Sequence, residues 1–306
     1  MKIAIYGAGG VGGYYGARLA QTGADVYLIA RGAHLRALKE EGLRIRSPKG
    51  DAELRLPATE NAEDIGPSDY VLFCVKSFDT EKAAARLPSL LKADTAVISL
   101  QNGVDNEEKI GAAVGLDYVM GGASFIMSTI SEPGVIEHIG ELSRIVFGEM
   151  DGKSSDRAER WLALCQEAGI EAELSLDVRS VLWNKFAFIC AFAGMTAATR
   201  LPVGPIREDK HAMKLARGIM EEVVAVARAE GVGLPEDVVD KLHELAMQLD
   251  PESYSSLHYD LTHGKPMELE ALHGTAVSLA RKHGIDTPRC EVVYAILKLW
   301  AVRNQG

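Results

Sequence analysis

A glycine-rich turn beginning at residue 7 restricts this chain more than any other feature. The run Gly7-Ala8-Gly9-Gly10-Val11-Gly12 follows a short apolar strand pattern, Lys2–Tyr6, and opens a stretch over 11–21 with helical spacing. Each glycine has a mechanical reason in such a turn. Gly7 makes the tight bend, Gly9 lets the backbone approach a pyrophosphate, and Gly12 allows the helix to pack close on the strand. The helix N-terminus behind the turn presents free N–H groups and partial positive charge to phosphate. A second strand pattern follows at 25–29. Together these are the parts of a dinucleotide-binding βαβ unit, with Gly7, Ala8, Gly9, Gly10, Val11 and Gly12 as candidate cofactor residues.

The alternation continues along the chain. Residues 33–41 read as a second helix, and 43–46 with 53–56 flank the turn Pro48-Lys49-Gly50-Asp51 as a hairpin. Residues 70–75 and 95–100 are almost entirely apolar, as strands covered on both faces should be, with a helix pattern at 80–91 between them. This predicts a doubly wound, Rossmann-type α/β sheet of parallel strands with right-handed crossovers. Residues 135–138 and 143–148 read as an antiparallel pair closing one edge. After residue 177 helical patterns dominate, at 178–197, 209–230, 236–249, 265–283 and 288–303, broken by Pro202, Pro205, Pro235, Pro251 and Pro288. The expected organisation is an α/β nucleotide domain over 1–176 and an all-helical substrate and catalytic domain over 177–306. A chain of 306 residues readily holds both.

Bulk properties narrow the partners. A net charge of -10 argues against nucleic acid and anionic membrane surfaces. The longest apolar run, 186–195, is about half the roughly 20 residues a bilayer span needs, and the opening segment is too short in its apolar run for a secretory signal. A cytoplasmic location is expected. Cys74, Cys165, Cys190 and Cys290 are scattered through apolar contexts without a C-x-x-C pair, so reduced core thiols are expected. The eight histidines are equally dispersed, and no metal site is expected.

The end of the second strand bears on which dinucleotide binds. An NAD site usually places Asp or Glu there to accept from the ribose 2′-hydroxyl. Here the segment reads Ile29-Ala30-Arg31-Gly32, and Asp25 stands at the wrong end of the strand. A guanidinium at Arg31 suits a 2′-phosphate, which an acid would repel. NADP(H) is therefore the expected cofactor.

From these residues onward the chain resembles the ketopantoate reductase (2-dehydropantoate 2-reductase) family, over residues 1 to about 300. The resemblance rests on the glycine turn, Arg31, Cys74-Val75-Lys76-Ser77, Leu100-Gln101-Asn102-Gly103, Trp183-Asn184-Lys185, and Ser255-Ser256 with Glu268 twelve residues later. It implies a second domain of the 6-phosphogluconate dehydrogenase C-terminal-like helical type. It also implies NADPH-dependent reduction of a small 2-keto acid to a 2-hydroxy acid, as in pantothenate synthesis. By resemblance Lys185 is the general acid, and Glu268 positions substrate and supports the charged lysine. Lys76 and Asn102 lie near the cofactor, Asn102 also near substrate, and Ser256 binds the substrate carboxylate. The lysine makes chemical sense without the resemblance. Ketone reduction needs a proton on oxygen, and a lone ammonium beside an apolar helix would be costly without a partner.

One departure bears on the substrate. The family carries asparagines four and eight residues after the lysine, where this chain has Ile189 and Ala193. That spacing keeps all three on one helix face, so the face toward substrate has become apolar. Two enzyme readings follow: a 2-dehydropantoate reductase, or a paralogue for a less hydroxylated 2-keto acid. A non-catalytic NADP(H) sensor is the alternative of another class, and Lys185 speaks against it. A homodimer is compatible with the sequence.

Overall fold

The computed structural model describes residues 1–303. The chain divides into two compact units, residues 1–101 with 106–178, and residues 102–105 with those from 179 onward.

Ten strands among the described residues form the sheet of the first unit: β1 (Lys2–Tyr6), β2 (Asp25–Ile29), β3 (Leu43–Arg46), β4 (Ala52–Leu54), β5 (Ala58–Thr59), β6 (Tyr70–Phe73), β7 (Ala96–Ser99), β8 (Val119–Glu132), β9 (Val135–Glu149) and β10 (Glu171–Leu174). Their order is β4-β3-β9-β8-β7-β6-β1-β2-β5, with β10 on β9. β1 pairs parallel with both β2 and β6, and β6 with β7. The strand order therefore turns back at β1. On β1, Ile3 and Ile5 belong to the buried cluster that holds Tyr14, Tyr15, Leu28 and Phe147, while Ala4 and Tyr6 belong to the one that holds Val71, Phe73, Val97 and Leu87. Burial on both faces is why this strand reads as an unbroken apolar run rather than an alternating one.

The sheet is mixed, and here the sequence reading needs correction. Residues 135–138 and 143–148 are not partners of each other. Both belong to β9, which pairs antiparallel with the long strand β8. Nor do they close an edge, because β3 continues the sheet parallel to β9 and β4 follows antiparallel. The helix expected at 80–91 is also interrupted. It is α-helical only over Thr80–Ala84 and resumes as a 3-10 turn at Leu87–Leu90. Pro88 lacks the N–H that would bond the Ala84 carbonyl in a continuous α-helix, which accounts for the break.

Helices α1 (Gly10–Ala20) and α2 (Gly32–Glu40) follow β1 and β2, α3 (Thr80–Ala84) follows β6, and α4 (Asn106–Val114) follows β7. α5 (Asp156–Glu167) starts at Ser155, whose hydroxyl accepts from the Ala158 N–H. The Glu149 carboxylate at the end of β9 takes Arg157 Nε and Nη2 at 2.7 and 2.6 Å and the Ser155 hydroxyl at 2.5 Å. The two charged side chains are only 17% and 10% exposed.

The second unit is helical: α6 (Val178–Thr199), α7 (Val203–Glu208), α8 (Lys210–Ala229), α9 (Val238–Gln248), α10 (Ser256–Thr262), α11 (Thr275–Lys282) and α12 (Pro288–Arg303). A π-helical turn, Glu270–Gly274, runs directly into α11. Trp183, Phe186 and Cys190 of α6 pack with Ile219 and Val223 of α8 and Leu297 of α12. The buried Glu222 carboxylate on α8 accepts the Arg289 and Cys290 N–H groups at 3.0 and 2.8 Å, which satisfies the first turn of α12. By length and composition α6 could cross a membrane, but 61% of its most apolar window is buried inside the protein, the position of a core helix.

Candidate active site

The glycine turn sits where the strand order reverses, the place at which open α/β sheets bind ligands. Gly7 adopts φ +99°, and a Cβ there would stand 2.8 Å from the backbone of Cys74 and Val75, so both the bend and the contact with the end of β6 require glycine. A Cβ at Gly12 would meet the Gly7 carbonyl oxygen at 2.3 Å and Ile5 at 2.9 Å, which is the close helix–strand packing expected of it. Around Gly9, by contrast, no protein atom lies within 4 Å of such a Cβ. The backbone is bare on the side where a phosphate would approach. Gly10 has a reason the motif does not give: a methyl there would lie 2.3 Å from the Ser128 carbonyl oxygen of β8.

The turn is tied on three sides. The Gly7 and Ala8 N–H groups both donate to the Ile29 carbonyl at the end of β2, at 3.1 and 2.9 Å. His34 on α2 supplies the third tie. Its Nδ1 accepts the Gly134 N–H at 3.0 Å, so Nε2 carries the proton and donates to the Ala8 carbonyl at 2.8 Å. Burial holds this imidazole below its ordinary pKa, with the Ala8 bond acting in the opposite direction. His34 therefore couples the glycine turn to the β8–β9 turn, and a lone histidine in the sequence gave no hint of it.

Arg31 precedes the first residue of α2 in extended backbone, at φ -140° and ψ 165°. Its side chain is 67% exposed, and its guanidinium is ion-paired with Asp79. Asp79 ends the short 3-10 turn Ser77–Asp79 that follows β6. Asp25 opens β2, at the end opposite Arg31, and is exposed. Lys76 is exposed and immediately precedes the turn carrying Asp79. Asn102, half-buried, comes three residues after the last residue of β7. Gly7, Arg31, Lys76 and Asn102 thus follow the carboxyl ends of the neighbouring strands β1, β2, β6 and β7.

In the helical unit Lys185 lies two turns inside α6. The helix is continuous through Thr199, so Lys185, Ile189 and Ala193 occupy one face. Lys185 and Ile189 are half-buried and Ala193 is 3% exposed. Glu268, 8% exposed, stands just before the π-helical turn. Ser256 is the exposed first residue of α10. The cap is its neighbour Ser255, whose hydroxyl accepts the His258 N–H at 3.0 Å and the Thr196 hydroxyl at 2.8 Å. Capping is therefore not what occupies Ser256. Asp260, an acid only 6% exposed, lies on the same helix.

A glycine turn at the switch point of a doubly wound sheet, continued in one chain by an all-helical unit, defines the class of Rossmann-type oxidoreductases with a helical second part. Family profiles described as "Ketopantoate reductase PanE/ApbA" and "Ketopantoate reductase PanE/ApbA C terminal" match residues 3–152 and 177–301. The 2-dehydropantoate 2-reductase of Mesorhizobium japonicum is 31% identical over 325 aligned residues, covering 99% of each chain. The uncharacterized oxidoreductase YkpB of Bacillus subtilis is 32% identical, covering 98% of this chain and 99% of its own. A crystal structure of a PanE/ApbA family ketopantoate reductase from Ralstonia eutropha superposes with a TM-score of 0.92 at 34% identity, covering all of both chains. The chain belongs to the ketopantoate reductase family and is an oxidoreductase.

Proposed function

We propose that this protein reduces a 2-keto acid to the 2-hydroxy acid with NADPH, and that its substrate is 2-dehydropantoate or a less hydroxylated analogue. The observation that carries the reading is Lys185, an ammonium held half-buried on an apolar helix in a family of reductases. The glycine turn fits a dinucleotide pyrophosphate, because its backbone is open at Gly9 and Arg31 follows the next strand. The bound nicotinamide nucleotide supplies the hydride. Lys185 gives its proton to the substrate carbonyl oxygen as that oxygen gains charge, and is recharged from solvent. Glu268 positions the substrate and supports the lysine's charge, Ser256 takes the substrate carboxylate, and Lys76 and Asn102 hold the cofactor, Asn102 reaching substrate as well. The test is NADPH consumption across 2-keto acids with and without a hydroxyl beyond the carbonyl.

Arg31 carries the cofactor expectation. NADPH should bind at least about tenfold more tightly than NADH, a difference of about 1.4 kcal/mol. Arg31→Ala should reduce that margin chiefly by weakening NADPH. Equal affinities in the unmutated protein would remove the assignment.

The second substrate reading rests on Ile189 and Ala193, which make the face beyond Lys185 apolar. Sites that hydrogen-bond a substrate hydroxyl discriminate strongly, because their polar groups go unpaired with the wrong ligand. Apolar linings offer only about 1–3 kcal/mol per methylene-sized difference. Plain branched-chain 2-keto acids should therefore match or exceed ketopantoate in kcat/KM. The double variant Ile189→Asn, Ala193→Asn should move preference toward the hydroxylated acid. A strong preference for ketopantoate in the unmutated enzyme would show that other residues read the hydroxyl.

A further inference from the structure

The sequence has no carboxylate at the end of β2, where an NAD site normally has one. The fold brings one there from elsewhere. Asp79, 48 residues beyond Arg31, is ion-paired with its guanidinium. β2 and β6 flank β1 on opposite sides, so the pair spans the carboxyl end of β1, from which the glycine turn departs. Asp79 is the fixed partner. Its N–H donates to the Lys76 carbonyl at 2.8 Å, and its side chain is 22% exposed against 67% for Arg31.

We propose that Asp79 is a second specificity residue at the adenosine ribose subsite, opposing Arg31. This rests on the reading of the glycine turn as a dinucleotide site. A carboxylate in that place accepts from a free 2′-hydroxyl, as the acid at the end of the second strand does in NAD sites. Against a 2′-phosphate it has two adverse effects. It repels the dianion, and it occupies the guanidinium the phosphate requires. One ion pair therefore serves both nucleotides. Asp79 recognises NADH while Arg31 is neutralised, and Arg31 turns to the phosphate when NADPH enters. Asp79 narrows the NADPH preference that Arg31 creates, and the protein accepts both cofactors.

The test is a fluorescence titration of NADPH and NADH with the full-length protein and its Asp79→Asn and Arg31→Ala variants. Adenosine 2′,5′-bisphosphate and 5′-AMP serve as competing fragments that report the ribose subsite alone. Asp79→Asn should tighten NADPH, weaken NADH, and widen the ratio of their affinities by about tenfold or more. Arg31→Ala should narrow the ratio, chiefly by weakening NADPH. If Asp79→Asn proves unstable, Asp79→Ser keeps the question open to the same measurement, with the same direction expected. An unchanged ratio, or equal weakening of both nucleotides, overturns the assignment and leaves Asp79 a structural partner of Arg31. Failure of the unmutated protein to bind either nucleotide would instead overturn the dinucleotide reading itself.

Discussion

Replacing Lys185 with alanine should lower kcat by roughly 10²–10⁴, the usual contribution of a positioned general acid, with NADPH affinity largely retained. The separation of the two effects is the informative part. Lys185 lies two turns into α6 in the helical unit, whereas the glycine turn and Arg31 belong to the α/β unit. A structural lysine would show itself through lost stability with turnover preserved. The variant should be compared with Lys185→Arg, which keeps a cation but, as a guanidinium that holds its proton far more firmly than an ammonium, is a poor proton donor near neutrality. A folded, cofactor-binding Lys185→Ala protein that turns over normally would remove the lysine from the mechanism.

The largest stability effect should come from Glu149→Ala. Glu149 and Arg157 form a two-pronged pair that is nearly excluded from solvent, and the same carboxylate accepts from Ser155 at the head of α5. Removing the carboxylate leaves a guanidinium buried without its counter-charge, which should cost about 3–5 kcal/mol. In urea unfolding the midpoint should fall while the slope of the transition is kept. The paired change Glu149→Leu with Arg157→Met should recover much of the loss, since apolar replacement of a whole buried pair is often close to neutral. If the double variant is no more stable than Glu149→Ala, the pair contributes more than mutual compensation.

Much of this architecture could be read from local pattern. β1, the glycine turn and β2 appear where apolar runs and glycine spacing put them, and four of the five long helical patterns after residue 177 correspond to α-helix, while the one at 265–283 becomes helical only from Glu270, first as a π turn. What escaped depends on long-range pairing. β8 has Gly121 and Gly122 directly after its first two residues and continues through Ser124, Ser128 and Thr129, so it lacks the clean alternation that marks a half-buried strand. Its existence is settled by the antiparallel partner β9. The short helices α7 and α10 hold too few turns for a periodic pattern to emerge. At the glycine turn, position and spacing were enough to single out Gly7, Gly9, Gly12 and Arg31 as candidates. Asp79 and His34 did not declare themselves, because each acquires meaning only from a neighbour brought close by sheet order, Arg31 for one and Ala8 with Gly134 for the other. On α6 the face shared by Lys185, Ile189 and Ala193 was legible from spacing alone, since a continuous helix leaves no freedom in which side a residue takes.

The place of β3 in the sheet has a consequence for how this protein is made. β3 and β4 form a local hairpin early in the chain, yet their route into the sheet is β9, about 90 residues further on. At roughly 5–20 residues per second of synthesis the hairpin waits some 5–20 s for that partner. Meanwhile Leu43 and Ile45, each 1% exposed in the finished protein, lie on a strand that lacks its β9 neighbour. Arg44 and Arg46 alternate with them along β3, and Glu53 faces Arg44 across the hairpin. Charges spaced in this way discourage an open strand from pairing with another chain. On the ribosome they act as a guard for a strand whose permanent neighbour has yet to be translated.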